Sequence, residues 1–316
     1  MFGYRHRDDA MPACCGWLVA REGCHQCRGA RLSKLGGTMK SSVVAAFVVV
    51  LANVVGCAVP VSNGESDDEP VGTAMQANKD IPPSGQNGKH GHCTWHIGSR
   101  QAYKTLGNQA LNHGGGELPS VAILPECRDE VIANAVECAL LPNQSVRDPI
   151  TGHVFHGWWG LAPSWYSTAL NASGRSYVTA CMVQRLNAFG ATVPILLEGA
   201  WGTIQANTSF QAEFPFEESI AYGDLFTPPV TSTAVNVCYN DDLDSACHAV
   251  GTTAEDWLRL RICDSTPSCG LTVIGKCSQV CIANASGGYP MCKRADGTYD
   301  DKTVEVRLEL AHACGQ

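Results

Sequence analysis

Twelve cysteines constrain this chain more than any other feature: Cys93, Cys127, Cys138, Cys181, Cys238, Cys247, Cys263, Cys269, Cys277, Cys281, Cys292 and Cys314. An even, dense set over residues 91–316 predicts a disulfide framework of up to six bridges, which forms in an oxidising compartment. Eight of the twelve lie from Cys238 onward. A segment of about 80 residues buries too little apolar surface to stand alone, so bridges are expected to hold the last third.

Export is legible in "MKSSVVAAFVVVLANVVGCAVP", which begins at Met39. Lys40 supplies a cationic start, and Val43 to Val55 is an apolar run shorter than the roughly 20 residues of a membrane span. It ends in Val54-Val55-Gly56-Cys57, which resembles the lipobox of bacterial lipoprotein precursors. That resemblance implies cleavage before Cys57, a diacylglycerol on its sulfur, and anchoring to a membrane of the cell envelope. The outer membrane is favoured, with the domain facing periplasm or exterior.

The chain then partitions into 1–38, an upstream extension ahead of the expected start at Met39; 39–56, the signal; 57–90, a tether; and 91–316, the ectodomain, divisible into 91–230 and 231–316. The extension holds Cys14, Cys15, Cys24 and Cys27. Its C-x-x-C spacing suits zinc or redox chemistry, but it offers few apolar positions to build around and runs directly into an export signal. Of 17 cysteines, removing these four and Cys57 leaves the twelve. The tether is rich in Pro, Gly, Ser and acidic residues, a composition that cannot offset the entropy of ordering. From Cys57 onward, 15 Lys plus Arg stand against 27 Asp plus Glu, a net charge of −12. Such a surface repels a polyanion, so no nucleic-acid partner is expected.

Periodicity predicts an α+β fold, helical in its first half and mainly antiparallel β in its Cys-rich C-terminal part. Val131, Ile132, Ala135, Val136, Ala139 and Leu140 recur at helical spacing after Asp129 and Glu130, and Pro142 is the stop. If Cys127 opens that helix, it lies roughly 16 Å from Cys138, too far for the two to pair. A second helix carries Val178, Cys181, Met182, Arg185 and Phe189 on one stripe and ends at Gly190. Thr253 and Asp256 have capping-box spacing ahead of a third. Strands are expected at "TVPILLEG", "AVNVCYN", "LTVIG" and "TVEVRLEL". Pro194 marks the first as an edge or bulged strand, and alternation in the last puts Glu305, Arg307 and Glu309 toward solvent.

"GLAPSW" (Gly160 to Trp165) and "ACMVQRLNAFG" (Ala180 to Gly190), followed by the Cys-rich tail, resemble a group of secreted proteins of myxobacteria. The resemblance spans roughly Cys127 to Leu310. No activity is established for that group, so it implies no catalytic residue.

Four constellations bear on chemistry. His90, His92, Cys93 and His96 fall within seven residues and suit zinc or copper, but using Cys93 as a ligand breaks the even cysteine count, so no metal or other cofactor is expected. Cys181 near a helix start is a candidate nucleophile with His153 or His156 as base; its place on the apolar stripe and the even count make it a bridge half instead. Gly270, Gly275 and Lys276 match a phosphate loop except that Cys277 stands where Ser or Thr would hold magnesium. Asn240, Asp242 and Asp244 start a calcium-loop pattern that Ser245 and Gly251 break, while Glu213, Glu217 and Glu218 include a candidate glycosidase pair. Solvated surface is the expectation for both acidic groups.

Trp158, Trp159, Trp165 and Tyr166 cluster in "HGWWGLAPSWY", where rings either fill the core or present binding faces. The function expected is that of a lipid-anchored binding or surface-interaction domain for a polysaccharide or protein partner. The alternative is an extracytoplasmic hydrolase using His153 or His156 with an acid or Cys181.

Overall fold

A computed structural model describes residues 84–189, 192–227, 235–264, 269–285, 288–309 and Cys314, all within the unit Ser62–Gln316. Cys57, the apolar run, the stretch 1–38, Gly190, Leu310 and the tether as far as residue 83 lie outside the described residues. No described helix is long and apolar enough to cross a membrane.

The fold is α+β and disulfide-rich. Strand β1 (Ser84–Gln86) precedes helices α1 (Gly91–Trp95), α2 (Ile97–Gly107) and α3 (Pro125–Ala139). Then come the short strands β2 (Ser145–Arg147) and β3 (Val154–His156), helix α4 (Ala172–Gln184), strand β4 (Pro194–Gly199), the turn α5 (Thr208–Gln211), and strands β5 (Phe216–Gly223) and β6 (Val235–Tyr239). Helices α6 (Asp241–Ala249) and α7 (Ala254–Cys263) lead to β7 (Leu271–Lys276), the turn α8 (Cys277–Val280), short strands β8 (Cys281–Ile282), β9 (Met291–Lys293) and β10 (Tyr299–Asp300), and finally β11 (Val304–Leu308).

Six strands form one sheet in the order β1-β4-β11-β5-β6-β7. Every neighbouring pair is antiparallel except β6 with β7, which α6 and α7 connect, as a parallel pair requires a crossover. Strand alternation divides the core between the two faces. Ala221, Val235, Val237, Val304 and Val306 belong to the main core with α3 and α4, whereas Ile220, Tyr222 and Cys238 belong to a second, smaller core with Cys277, Val280, Cys281, Tyr289 and Cys292. Helix α4 is buried from Ser173 to Gln184 save Arg175, as expected of a helix enclosed by other elements.

All twelve cysteines pair: Cys93–Cys127, Cys138–Cys181, Cys238–Cys277, Cys247–Cys314, Cys263–Cys269 and Cys281–Cys292. The first two fasten α3 to α1 and to α4; the other four lie in the last third.

Several boundaries differ from expectation for local reasons. Ser84–Gln86, assigned to the tether, pairs with β4, so ordered chain begins before residue 91. Pro194 is the first residue of β4, and β4 is an inner strand; its missing N–H costs nothing because the pairing with β11 begins at Ile195. Helix α3 starts at Pro125, whose ring suits the first helical position, so Asp129 and Glu130 lie beyond the first turn. Helix α4 stops at Gln184, short of Gly190, because the Arg185 carbonyl accepts from Gly88 N at 3.1 Å and Lys89 N at 3.2 Å. The Thr253 hydroxyl caps α7 through Asp256 N at 3.0 Å and donates to the Asp256 carboxylate at 2.7 Å. Chain from both 91–230 and 231–316 enters the main sheet.

Candidate functional site

The last turn of α3 leaves carbonyls without helical partners, and the segment 157–162 supplies them. Trp158 N and Trp159 N donate to Glu137 O at 3.0 and 2.9 Å, Gly160 N to Leu140 O at 3.0 Å, Leu161 N to Cys138 O at 3.1 Å and Ala162 N to Ala139 O at 2.9 Å. This seam needs glycine at its entrance, because a Cβ on Gly157 would lie 2.2 Å from the Leu140 carbonyl carbon. Gly160 turns the chain with φ +64°, a conformation that suits glycine.

The two tryptophans then part. Trp159 points inward and lies so close over β1 that a Cβ on Gly85 would be 2.3 Å from its ring; the Arg185 guanidinium sits 4.7 Å from its ring centroid. Trp158 stands edge-on to it at 6.5 Å and remains 41% exposed. Trp165 is fully buried, donating Nε1 to Gln109 O at 3.0 Å and meeting Phe226 edge-on, and Tyr166 packs half-buried against the core. Of the four aromatic residues singled out, Trp158 and Trp159 line one cleft.

That cleft measures about 660 Å³, within the range that holds small ligands. Gly85 and Gln86 of β1, Val154, Phe155 and His156 of β3, and Pro194 and Phe214 form its walls, with Glu137 and Arg185 among its polar lining. Arg185 pairs with Glu137 and donates Nη1 to Asn134 Oδ1 at 3.0 Å. Lys89 Nζ lies 3.9 Å from Glu137. Burial lowers both cations from their ordinary values, and Glu137 opposes the shift in each.

The other candidates are dispersed. Cys181 is bonded to Cys138 and fully buried, which removes it as a nucleophile. His153 Nδ1 lies 2.7 Å from Asp129 Oδ2, both exposed; His153 directly precedes Val154, the first β3 residue of the cleft wall. Cys93 is in a bridge, His96 caps α2 by accepting from Gly98 N at 3.1 Å, and His92 Nδ1 is 3.7 Å from Asp264. The phosphate-loop look-alike is strand β7 followed by a bridge cysteine. Asn240 precedes α6, and Lys276 Nζ takes Asp241 at 3.0 Å and Asp244 at 2.9 Å, the place a cation would need. Glu218 is buried against Arg261, and Glu217 pairs with Arg307, so the expected solvated surface holds for neither.

A second cavity, about 90 Å³, is lined by Glu198, Glu305, Arg307, Gln211, Asn284 and Tyr289 among others. Glu198 and Glu305 are register partners on β4 and β11. Glu198 accepts from Arg307 Nε at 2.6 Å and from Gln211, while Glu305, 8% exposed, has Arg307 Nε at 3.6 Å and an Oε1 without a hydrogen bond. Burial, then the Glu217 carboxylate, pushes the Glu305 carboxyl up to about 8 against the pull of Arg307. Like charges facing each other across strands are unfavourable, and a protonated Glu305 relieves this. Neither Glu198 nor Glu305 was singled out by sequence, since alternation put Glu305 in solvent; it instead lines a small cavity together with Tyr289 and Asn284.

Comparison of the chain with protein-family models, with curated proteins and with solved structures finds no match, and the reading of the site therefore rests on its own geometry.

Proposed function

We propose that this chain is an exported, lipid-anchored binding domain that takes a surface polysaccharide in the Trp158 cleft. The observation that carries this reading is a half-exposed indole on a loop pinned by the end of α3, beside a 660 Å³ cleft. A loop fixed by five backbone hydrogen bonds loses little entropy on binding. The flat indole offers a face for the C–H side of a sugar ring. Gln86, Glu137 and His156 supply donors and acceptors for hydroxyls along the same walls. Six disulfides suit an oxidising location, and Val54-Val55-Gly56-Cys57 supports the anchor.

Titration of the full chain with purified wall and surface polysaccharides tests the cleft. Trp158→Ala should weaken binding about 10- to 30-fold, as loss of an aromatic anchor does, with melting unchanged. Equal binding by parent and variant refutes the glycan assignment. Mass spectrometry of the membrane-extracted protein tests the anchor: an acylated N-terminus at Cys57, lost in Cys57→Ala, is the expected result.

The hydrolase reading keeps one supporting observation, the His153–Asp129 contact, which orients an imidazole as a base requires. Polysaccharide cleavage by the parent that disappears in His153→Ala would favour it over binding alone.

A further inference from the structure

Two of the six bridges touch. Cys238 Sγ of the Cys238–Cys277 bridge lies 3.5 Å from Cys281 Sγ of the Cys281–Cys292 bridge. The sulfurs of Cys238, Cys277 and Cys281 all fall within 4.8 Å of one another; the fourth, Cys292, is bonded to Cys281 and stands just outside that group. The four come from β6, from the start of α8, from β8 directly after it, and from β9. They meet in the small core on the sheet face away from α4, among Ile220, Tyr222, Ile274, Val280 and Tyr289.

Once opened, these two bridges would present four cysteine sulfurs, the donor set of a four-thiolate metal centre. A tetrahedral ion with metal–sulfur bonds of about 2.3 Å sets its sulfurs about 3.8 Å apart. The contact between the two bridges is already close to that spacing, and opening each S–S bond needs a movement of under about 2 Å. Ile220 and Tyr222 are buried and Ile274, Val280 and Tyr289 partly buried around the sulfurs, an apolar surrounding of the kind that tunes a metal centre. Cys281 is partly exposed whereas Cys238, Cys277 and Cys292 are buried, so a reductant has a point of entry. We propose that Cys238, Cys277, Cys281 and Cys292 form a tetrathiolate site for a thiophilic divalent cation of the zinc class when the chain is reduced, the two bridges and the metal being alternative closures of the same small core.

The chemistry balances with a dithiol as reductant. Its thiolate attacks the Cys281 sulfur, the Cys281–Cys292 bond breaks, and the second thiol of the reductant releases Cys281 as the reductant closes to its own disulfide. A second dithiol opens Cys238–Cys277 in the same way. Two dithiols are oxidised and four protein thiols are formed; on binding one divalent ion these lose four protons to solvent.

Cobalt(II) added anaerobically to the full chain, reduced only until Cys281–Cys292 and Cys238–Cys277 are open and Cys138–Cys181 is still closed, reads this directly. One cobalt per chain is expected, with sulfur-to-cobalt charge-transfer absorption and the visible bands of a tetrahedral centre, displaced by one equivalent of zinc. The paired variants C281S/C292S and C238S/C277S should each lose the spectrum, and each keeps the other bridge before reduction, so its near-ultraviolet circular dichroism then reports that it is folded. C93S/C127S removes the other sulfur pair that has a histidine beside it and should keep the spectrum. Absence of tetrahedral cobalt in the parent, survival of the spectrum in either of the first two variants, or its loss in the third would overturn the proposal.

Discussion

Glu218 of β5 and Arg261 of α7 form an ion pair at 2.7 Å with both side chains almost wholly enclosed. Arg261 also donates to the carbonyls of Leu186 at 2.7 Å and Gln184 at 3.2 Å, and Gln184 donates to the carbonyls of Ser219 and Val304. One network thus ties α4 and α7 to β5 and β11. Removing one member of a buried pair strands a charge and costs about 3–5 kcal/mol. Glu218→Ala should therefore lower the melting temperature by roughly 10 °C. Glu218→Leu combined with Arg261→Met should recover most of that loss; a double variant as unstable as Glu218→Ala would show that the hydrogen bonds to the carbonyls matter more than the charge pair.

The seam between α3 and the tryptophan loop predicts a sharp contrast between two glycines. Gly157→Ala drives a Cβ into the Leu140 backbone at 2.2 Å and should destabilise by about 3 kcal/mol or more, a cost of the size seen for overpacking and backbone displacement. Gly202→Ala meets open space at φ +51° and should cost about 1 kcal/mol, the penalty of the left-handed conformation alone. Urea denaturation of the two variants gives the comparison.

Glu305 makes stability depend on pH in a defined direction. Its folded-state value, about 8, lies above the ordinary 4.5, so the folded state holds more protons between these limits and its stability falls as pH rises through them. Glu305→Gln keeps the shape without the titration. The variant should gain on the parent from about pH 4.5 to about pH 8 and hold a constant lead above that range; parallel stability curves from denaturant midpoints would contradict the assignment.

No thiol of the oxidised ectodomain should react with iodoacetamide, since all twelve cysteines are paired. Under graded reduction, Cys263–Cys269 and Cys281–Cys292 should open first, because Cys269 and Cys281 are partly exposed. Cys138–Cys181, buried at both cysteines and set in the main core between α3 and α4, should open last, and with global unfolding. Peptide mapping of the alkylated sites follows the order.

The strands β6 and β7 were legible as short runs rich in β-branched residues and β11 by its alternation of apolar with charged residues, and the cysteine set announced its own pairing in number though not in partner. What the sequence concealed was made by distant contacts. Arg185 reads as one more residue of a helix, yet chain from Gly88 and Lys89, about 100 positions earlier, takes its carbonyl and ends α4. Glu305 alternates with valines as a solvent-facing residue would, yet it is 8% exposed in a cavity that it shares with Tyr289, Asn284 and Arg307. At the cleft, the tryptophan pair was visible in the sequence, but which indole faces outward depends on Gly85, Gly157 and the carbonyls of α3.

Strand β11, contributed by residues 304–308, lies in the middle of the sheet between β4 and β5 rather than at an edge. Until it arrives, β4 and β5 have no hydrogen-bonded link to each other, and the two parts of the sheet are separate ribbons. Closing it joins residues more than 80 positions apart on one side and about 110 on the other, contacts of the kind that slow folding. The main sheet consequently cannot close before residues 304–308 are in place, so the ribbon β1-β4 and the ribbon β5-β6-β7 stay unjoined until that late stretch is available to both.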